Sequence, residues 1–233
     1  MKDELRQRLA DVRQRLAAAA RAAGRDPASV GLVAVSKTQT AAAVRVLAEA
    51  GQRDFGENYL QEALAKRQAL ADLPLVWHFI GPLQSNKTRE VAEAFDWVHS
   101  VDRVKIARRL SEQRPADLPP LQICLQVNVS GEASKSGCTP EALPALAAEV
   151  RSLPRLQLRG LMALPAPPRA GEDPRRPFAQ LRALLEGLQA QGHALDTLSM
   201  GMSEDAEAAI AEGAHWVRIG TALFGPRPSP PAP

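Results

Sequence analysis

The sequence predicts an α/β fold, a single (β/α)8 TIM-type barrel with an extra N-terminal helix, and three observations carry that expectation. From Gly31 onward one unit repeats eight times, a short apolar run followed by a helical pattern. The first run leads into VSKTQT, which holds no glycine, whereas an open doubly wound sheet normally has a glycine-rich dinucleotide turn there. The runs end in polar residues, as the strands of a parallel barrel do at the mouth that carries its chemistry. Strict alternation makes each helix the crossover that returns the chain to the same end of the sheet, so the strands lie parallel.

In chain order, Leu5, Leu9, Val12 and Leu16 recur at helical spacing and Gly24 ends the pattern, which predicts an amphipathic helix over 2–23. Its stripe reads as the face that docks on the domain, a partner-binding face being the other use of such a stripe. A buried parallel strand is apolar on both faces, and Leu32, Val33, Ala34 and Val35 meet that demand in the first strand, 31–36. The remaining strands are placed at 52–55, 75–80, 96–99, 121–127, 156–162, 196–199 and 215–219, with helical patterns over 40–50, 59–70, 86–94, 103–113, 140–153, 177–191 and 203–212. Five prolines between Pro165 and Pro177 mark a long loop after the sixth strand. Residues 1–225 read as one domain, and 226–233 as a proline-rich tail without regular structure.

Composition narrows the class. The 233 residues are enough for one large core, and 29 basic against 26 acidic side chains are spread along the chain without a basic block or aromatic platform for nucleic acid. Cys124 and Cys138 are the only cysteines, which argues for a reducing compartment and cytoplasmic localisation. The N-terminus lacks the uninterrupted apolar core of a signal peptide or membrane span. His78, His99, His193 and His215 are scattered, with no cysteine or carboxylate at a ligand spacing, so no metal is expected.

The strand ends supply the candidate site. Lys37 is the only one of six lysines that directly terminates an apolar strand. Partial desolvation there favours its neutral, nucleophilic amine, while a snorkelling strand-end lysine is the plainer alternative. The second strand runs into Gly56, Glu57 and Asn58, and the third carries His78. The last two loops, SMGMSED and RIGTALFG, have the glycines and the helix start that hold phosphate in many barrels. Ser203 is placed to cap the helix beginning EDAEAAI, or to meet a phosphate, with Gly220 and Thr221 opposite. Arg218, inside the run WVRIG, needs a partner for its buried charge, either a ligand or a neighbouring acid.

The motifs VAVSKTQ, DFGENYLQEA, WHFIGPLQSNK, SGEASKSG, RGLMALP, LSMGMSEDAEAAI and VRIGTALFG resemble the pyridoxal phosphate homeostasis proteins (the YggS/PROSC family) from Val33 to Gly225. The resemblance implies a barrel similar to the N-terminal domain of alanine racemase, holding pyridoxal 5'-phosphate (PLP) as a Schiff base. It implies Lys37 as the aldimine lysine, Asn58 beside the ring hydroxyl and Arg218 as partner of the ring nitrogen. Met202, Ser203, Gly220 and Thr221 match phosphate contacts, and Lys135 matches a lysine near the mouth. Gln39 departs from relatives that carry a second lysine there.

An arginine facing the ring nitrogen does not hand over a proton, so the ring becomes a poor electron sink, which suits either a racemase or a protein that holds PLP without using it. The expectation is a PLP carrier in vitamin B6 and amino-acid homeostasis that serves PLP-dependent apoenzymes and is not an enzyme. A racemase-like enzyme and a lysine-dependent aldolase are the alternatives. A two-base racemase needs a second proton donor, which alanine racemases take from a further domain, and no such domain is expected after this barrel. The lone tyrosine, Tyr59, is expected to pack after the second strand, and His78 to be a satisfied core residue. A monomer is the expected state.

Overall fold

The computed structural model describes residues 2–132, 136–168 and 171–225. Lys135 and the tail 226–233 lie outside them. Eight parallel strands close a barrel in chain order, β1 (Gly31–Val35), β2 (Asp54–Glu57), β3 (Val76–Phe79), β4 (Trp97–Val101), β5 (Leu121–Gln126), β6 (Leu156–Met162), β7 (Thr197–Ser199) and β8 (Trp216–Ile219). Closure is made by β1 against β8, with Val33 opposite Arg218 and Ala34 opposite Ile219.

Around the barrel run α1 (Lys2–Ala22), α2 (Ala41–Glu49), α3 (Leu60–Ala69), α4 (Thr88–Ala94), α5 (Val104–Gln113), α6 (Leu143–Arg151), α7 (Arg176–Ala190), α8 (Ala206–Ala211) and α9 (Thr221–Phe224). The stripe Leu5, Leu9, Val12, Leu16 and Ala20 of α1 is buried against α2, α8 and α9, and Arg15 pairs with Glu207 of α8. Since α9 has a single turn, α1 fills the place of a full helix after the last strand and is integral to the outer ring. The short helix α9 has no counterpart in the sequence-based element list.

Alternation along each strand sorts the core into two layers. Leu32, Ala34, Phe55, Trp77, Phe79, Ile123, Leu125, Val217 and Ile219 face the helices in the main apolar cluster. The intervening residues point into the barrel, where Trp97, Cys124 and Met162 form a smaller cluster with Trp216 beside it. The two cysteines are unpaired, and burial pushes their thiols up, Cys124 to about 12 and Cys138 to about 11. No helix of the described residues is long and apolar enough to cross a membrane.

Candidate functional site

The C-terminal ends of β1, β2, β7 and β8 bring the predicted site residues to one rim. β1 ends at Val35, so Lys37 sits half-buried in the turn that follows. That turn is sharply held. Thr38 adopts a left-handed φ of 64°, and its N–H donates to Glu62 Oε2 at 2.9 Å, while Gln39 N–H donates to the carbonyl of Ser36 at 3.0 Å.

Asn58 follows β2 half-buried, and its Oδ1 is buried without a hydrogen-bond partner, an acceptor that needs a donor from elsewhere. Its backbone is fixed by close approach of Gly81, where a Cβ would come within 2.3 Å of the Asn58 carbonyl oxygen. Arg218 is buried on β8. Its Nη1 donates to Ser199 Oγ at 2.6 Å and Nη2 to the carbonyl of Ala163 at 2.8 Å, so the acid partner considered from sequence is replaced by two neutral acceptors. Burial lowers its pKa to about 10, with Asp205 offsetting part of that cost, so the guanidinium stays charged and donating at neutral pH. Nε has no hydrogen-bond acceptor among the described residues.

The two final loops flank Arg218. Its backbone N–H donates to the carbonyl of Gly201 at 2.9 Å, tying the loop after β7 to β8. Gly220 caps α9 and lies against Val35, where a Cβ would sit 3.3 Å from the Val35 carbonyl oxygen. The N–H groups of Gly220, Thr221 and Ala222 have no backbone acceptor among the described residues and present a small positive pole beside the Lys37 turn. Met202 is exposed and Ser203 half-buried on the neighbouring loop. The expected Ser203 cap is corrected: α8 starts at Ala206 after Asp205, whose Oδ1 accepts from Met202 N–H at 2.6 Å.

Two more expectations are settled by burial and bonding. Tyr59 does not pack: it is 54% exposed at the start of α3. His78 is a satisfied core residue, with Nδ1 2.9 Å from His99 Nε2 and Nε2 3.0 Å from Asp54 Oδ1. Among the described residues no group of three or more His, Cys, Asp or Glu is arranged to hold a metal ion.

Sequence reading missed the layer beneath Lys37. Glu57, fully buried, accepts from Lys66 Nζ at 2.7 Å and from Ser36 Oγ at 2.5 Å, and Lys66 also donates to the Ser36 carbonyl at 2.6 Å. Burial raises the Glu57 pKa, and the bonds from Lys66 and Ser36 oppose the rise. The signal in sequence was a carboxylate ending one strand with a lysine nine residues on, on the next helix. An amine, a set of free amides, a buried guanidinium and an unpaired amide oxygen together suit a small phosphorylated carbonyl compound with a planar polar ring.

The family described as alanine racemase, N-terminal domain, matches residues 7–228. A pyridoxal phosphate homeostasis protein of Pseudomonas aeruginosa is 69% identical over 219 residues, covering 94% of each chain. Its namesake in Escherichia coli K12 is 51% identical over 228 residues, covering 97% of each. PipY of Synechococcus elongatus PCC7942, solved with PLP bound, is 44% identical with a TM-score of 0.83 over 95% of this chain and 100% of its own. Alanine racemase of Clostridium difficile 630 shares the fold alone, at 15% identity and a TM-score of 0.76, over 97% of this chain and 58% of the racemase.

Proposed function

The chain belongs to the family of pyridoxal phosphate homeostasis proteins, and from that premise we propose that it binds PLP at the C-terminal mouth and serves PLP and amino-acid homeostasis without robust turnover. The observation that carries this reading is the gathering of Lys37, Asn58, Arg218 and the free amides of Gly220 to Ala222 on one rim. When bound, the cofactor supplies an aldehyde that joins amines and a ring that spreads charge.

Lys37 offers the amine. The α9 amides, with Thr221, Ser203 and Met202, receive the phosphate, and the orphaned Asn58 amide serves the ring hydroxyl. Arg218 donates to the ring nitrogen through the guanidinium nitrogen its protein partners leave over, and does not give up its proton, which keeps the ring a weak electron sink. Among the described residues the acid–base candidates support low turnover: His78 and His99 are fully buried and bonded to each other, and Tyr59 is exposed at the start of α3. The same reading takes residues 1–225 as one domain of a cytoplasmic monomer that passes PLP to apoenzymes, its two unpaired thiols fitting a reducing compartment.

The test is to load the protein with PLP, reduce it with borohydride, map the modified peptide by mass spectrometry, and assay unreduced protein for amino-acid racemisation. Label on Lys37 without racemisation is the expected result. The same label with sustained turnover makes the protein an enzyme, and absence of any chromophore overturns the cofactor reading.

A further inference from the structure

A continuous hydrogen-bond chain crosses the barrel interior from one mouth to the other. Arg218 Nη1 reaches Ser199 Oγ at 2.6 Å, Ser199 Oγ reaches His99 Nδ1 at 2.7 Å, His99 Nε2 reaches His78 Nδ1 at 2.9 Å, and His78 Nε2 reaches Asp54 Oδ1 at 3.0 Å. Ser199, His99 and His78 are completely buried, whereas the Asp54 side chain is 25% exposed. Asp54 lines a cleft of about 370 Å3 at the N-terminal mouth with Arg13, Gln52, Arg53 and Trp216. The chain therefore begins beside the proposed ring-nitrogen contact and ends at solvent on the opposite side.

Donor inventory fixes its direction. A guanidinium only donates, so Ser199 Oγ accepts from Arg218, and a carboxylate only accepts, so His78 Nε2 donates to Asp54. With one proton on each ring, His78 Nδ1 then accepts from His99 Nε2, and His99 Nδ1 accepts the Ser199 hydroxyl. In that arrangement every donor points away from Arg218, with the guanidinium at one end and the Asp54 carboxylate at the other. Independent features favour this arrangement. Burial above all holds the His99 pKa well below its ordinary value, which favours its neutral ring. His78 stacks on Trp97 with the planes 9° apart and meets the edge of Trp216, so its ring cannot turn without disturbing both. The charged and titratable groups around the chain are Arg13 and Arg53 near Asp54, Arg159 over Trp97, and Asp205 and Cys124 near Arg218.

We propose that Asp54, His78, His99 and Ser199 are positioning residues, a one-way hydrogen-bond chain that locks the Arg218 side chain and couples it to a carboxylate at the far mouth of the barrel. Without the chain, Arg218 keeps only the Ala163 carbonyl and can turn about that contact. With it, the nitrogen left for a ligand is held in one place and its polarity responds to the Asp54 charge. This inference rests on the PLP reading only for its consequence; the chain itself is a property of the protein without cofactor.

Two measurements test it separately. In 15N-labelled protein free of PLP, long-range proton–nitrogen spectra of the imidazoles should show His78 and His99 neutral with the proton on Nε2. Asp54→Asn should move the His99 nitrogens as well as those of His78, although Asp54 bonds only to His78. Protons on Nδ1, or a perturbation that stops at His78, would overturn the chain. In PLP-loaded protein, Ser199→Ala and Asp54→Asn should each shift the visible band, and Ser199→Ala should weaken PLP binding about tenfold, the scale of one lost hydrogen bond to a charged group. Wild-type band and affinity in both variants would overturn the positioning role. Failure of wild-type protein to take up PLP would instead defeat the cofactor reading, with the imidazole spectra still deciding the chain.

Discussion

Lys66 Nζ lies 2.7 Å from Glu57 Oε1 in the layer between β2 and α3, and the same ammonium holds the carbonyl of Ser36, the residue before Lys37. The two charges are almost completely excluded from water, and Glu57 Oε2 has no hydrogen-bond partner. A pair of this kind is a weak source of net stability, because desolvation offsets the attraction, yet removing one partner strands the other charge. Lys66→Met should therefore destabilise the fold by about 3–5 kcal/mol, and adding Glu57→Gln should recover much of that loss. Urea unfolding of the two variants checks it. Equal destabilisation by the single and double variants would show that Lys66 acts by packing alone.

The barrel was legible because buried parallel strands are continuous apolar runs, so β1 and β6 were bounded to within a residue by composition alone. The rim was legible because polar residues that end such runs have few other places to go. Three features besides the Glu57–Lys66 layer were not. Ser203 read as a cap because sequence does not say that α8 starts only at Ala206, after Asp205. The helix α9 has one turn, too short for any period to register. His78 read as a satisfied core residue and His99 as one of four scattered histidines, and only the closure of the barrel shows that they meet each other, Asp54 and Ser199.

Gly81→Ala should disturb the site without touching any proposed ligand contact. The added Cβ would meet the Asn58 carbonyl oxygen at 2.3 Å and its Cα at 2.7 Å, both backbone atoms that have no rotamer to yield with. The chain after β2 must shift, carrying the Asn58 amide with it. The expected outcome is a loss of about 1–3 kcal/mol in stability together with weaker PLP uptake. Gly187→Ala, on an open helical position, serves as the control and should lower neither, the helix-interior alanine adding stability.

Acid should destabilise the cofactor-free protein before most carboxylates titrate. The folded pKa of His99 lies below its ordinary 6.5, chiefly through burial, and that of His215 is lowered by burial and by Arg25. The unfolded chain thus binds a proton near pH 6.5 that the native state refuses. Their contribution is complete above that pH and falls as pH drops below it, by at most about 1.4 kcal/mol per pH unit for each group. Glu57, with its raised pKa, acts the other way at lower pH, where protonation relieves its burial cost. Unfolding free energies in urea at pH 7.5 and 5.5 should differ by about 1–2 kcal/mol from His99 alone. A flat profile would mean that the interior imidazoles take up protons in the folded state.

Lys37→Ala separates the covalent link from the rest of the site. Lys37 is half-buried in a turn whose geometry is set by neighbours, by Thr38 N–H on Glu62, by Gln39 N–H on the Ser36 carbonyl and by Lys66 beneath. None of these bonds uses the Lys37 side chain, so the turn and the fold should persist in the variant, with an unaltered far-ultraviolet spectrum. Arg218, Asn58 and the α9 amides remain, and the variant should still bind PLP, more weakly and reversibly, with the absorbance of the free aldehyde. Borohydride followed by denaturation should leave no label on the chain. A persistent label would place the link on another amine, and loss of all PLP binding with an intact fold would mean that Lys37, and not the amide cradle, supplies most of the affinity.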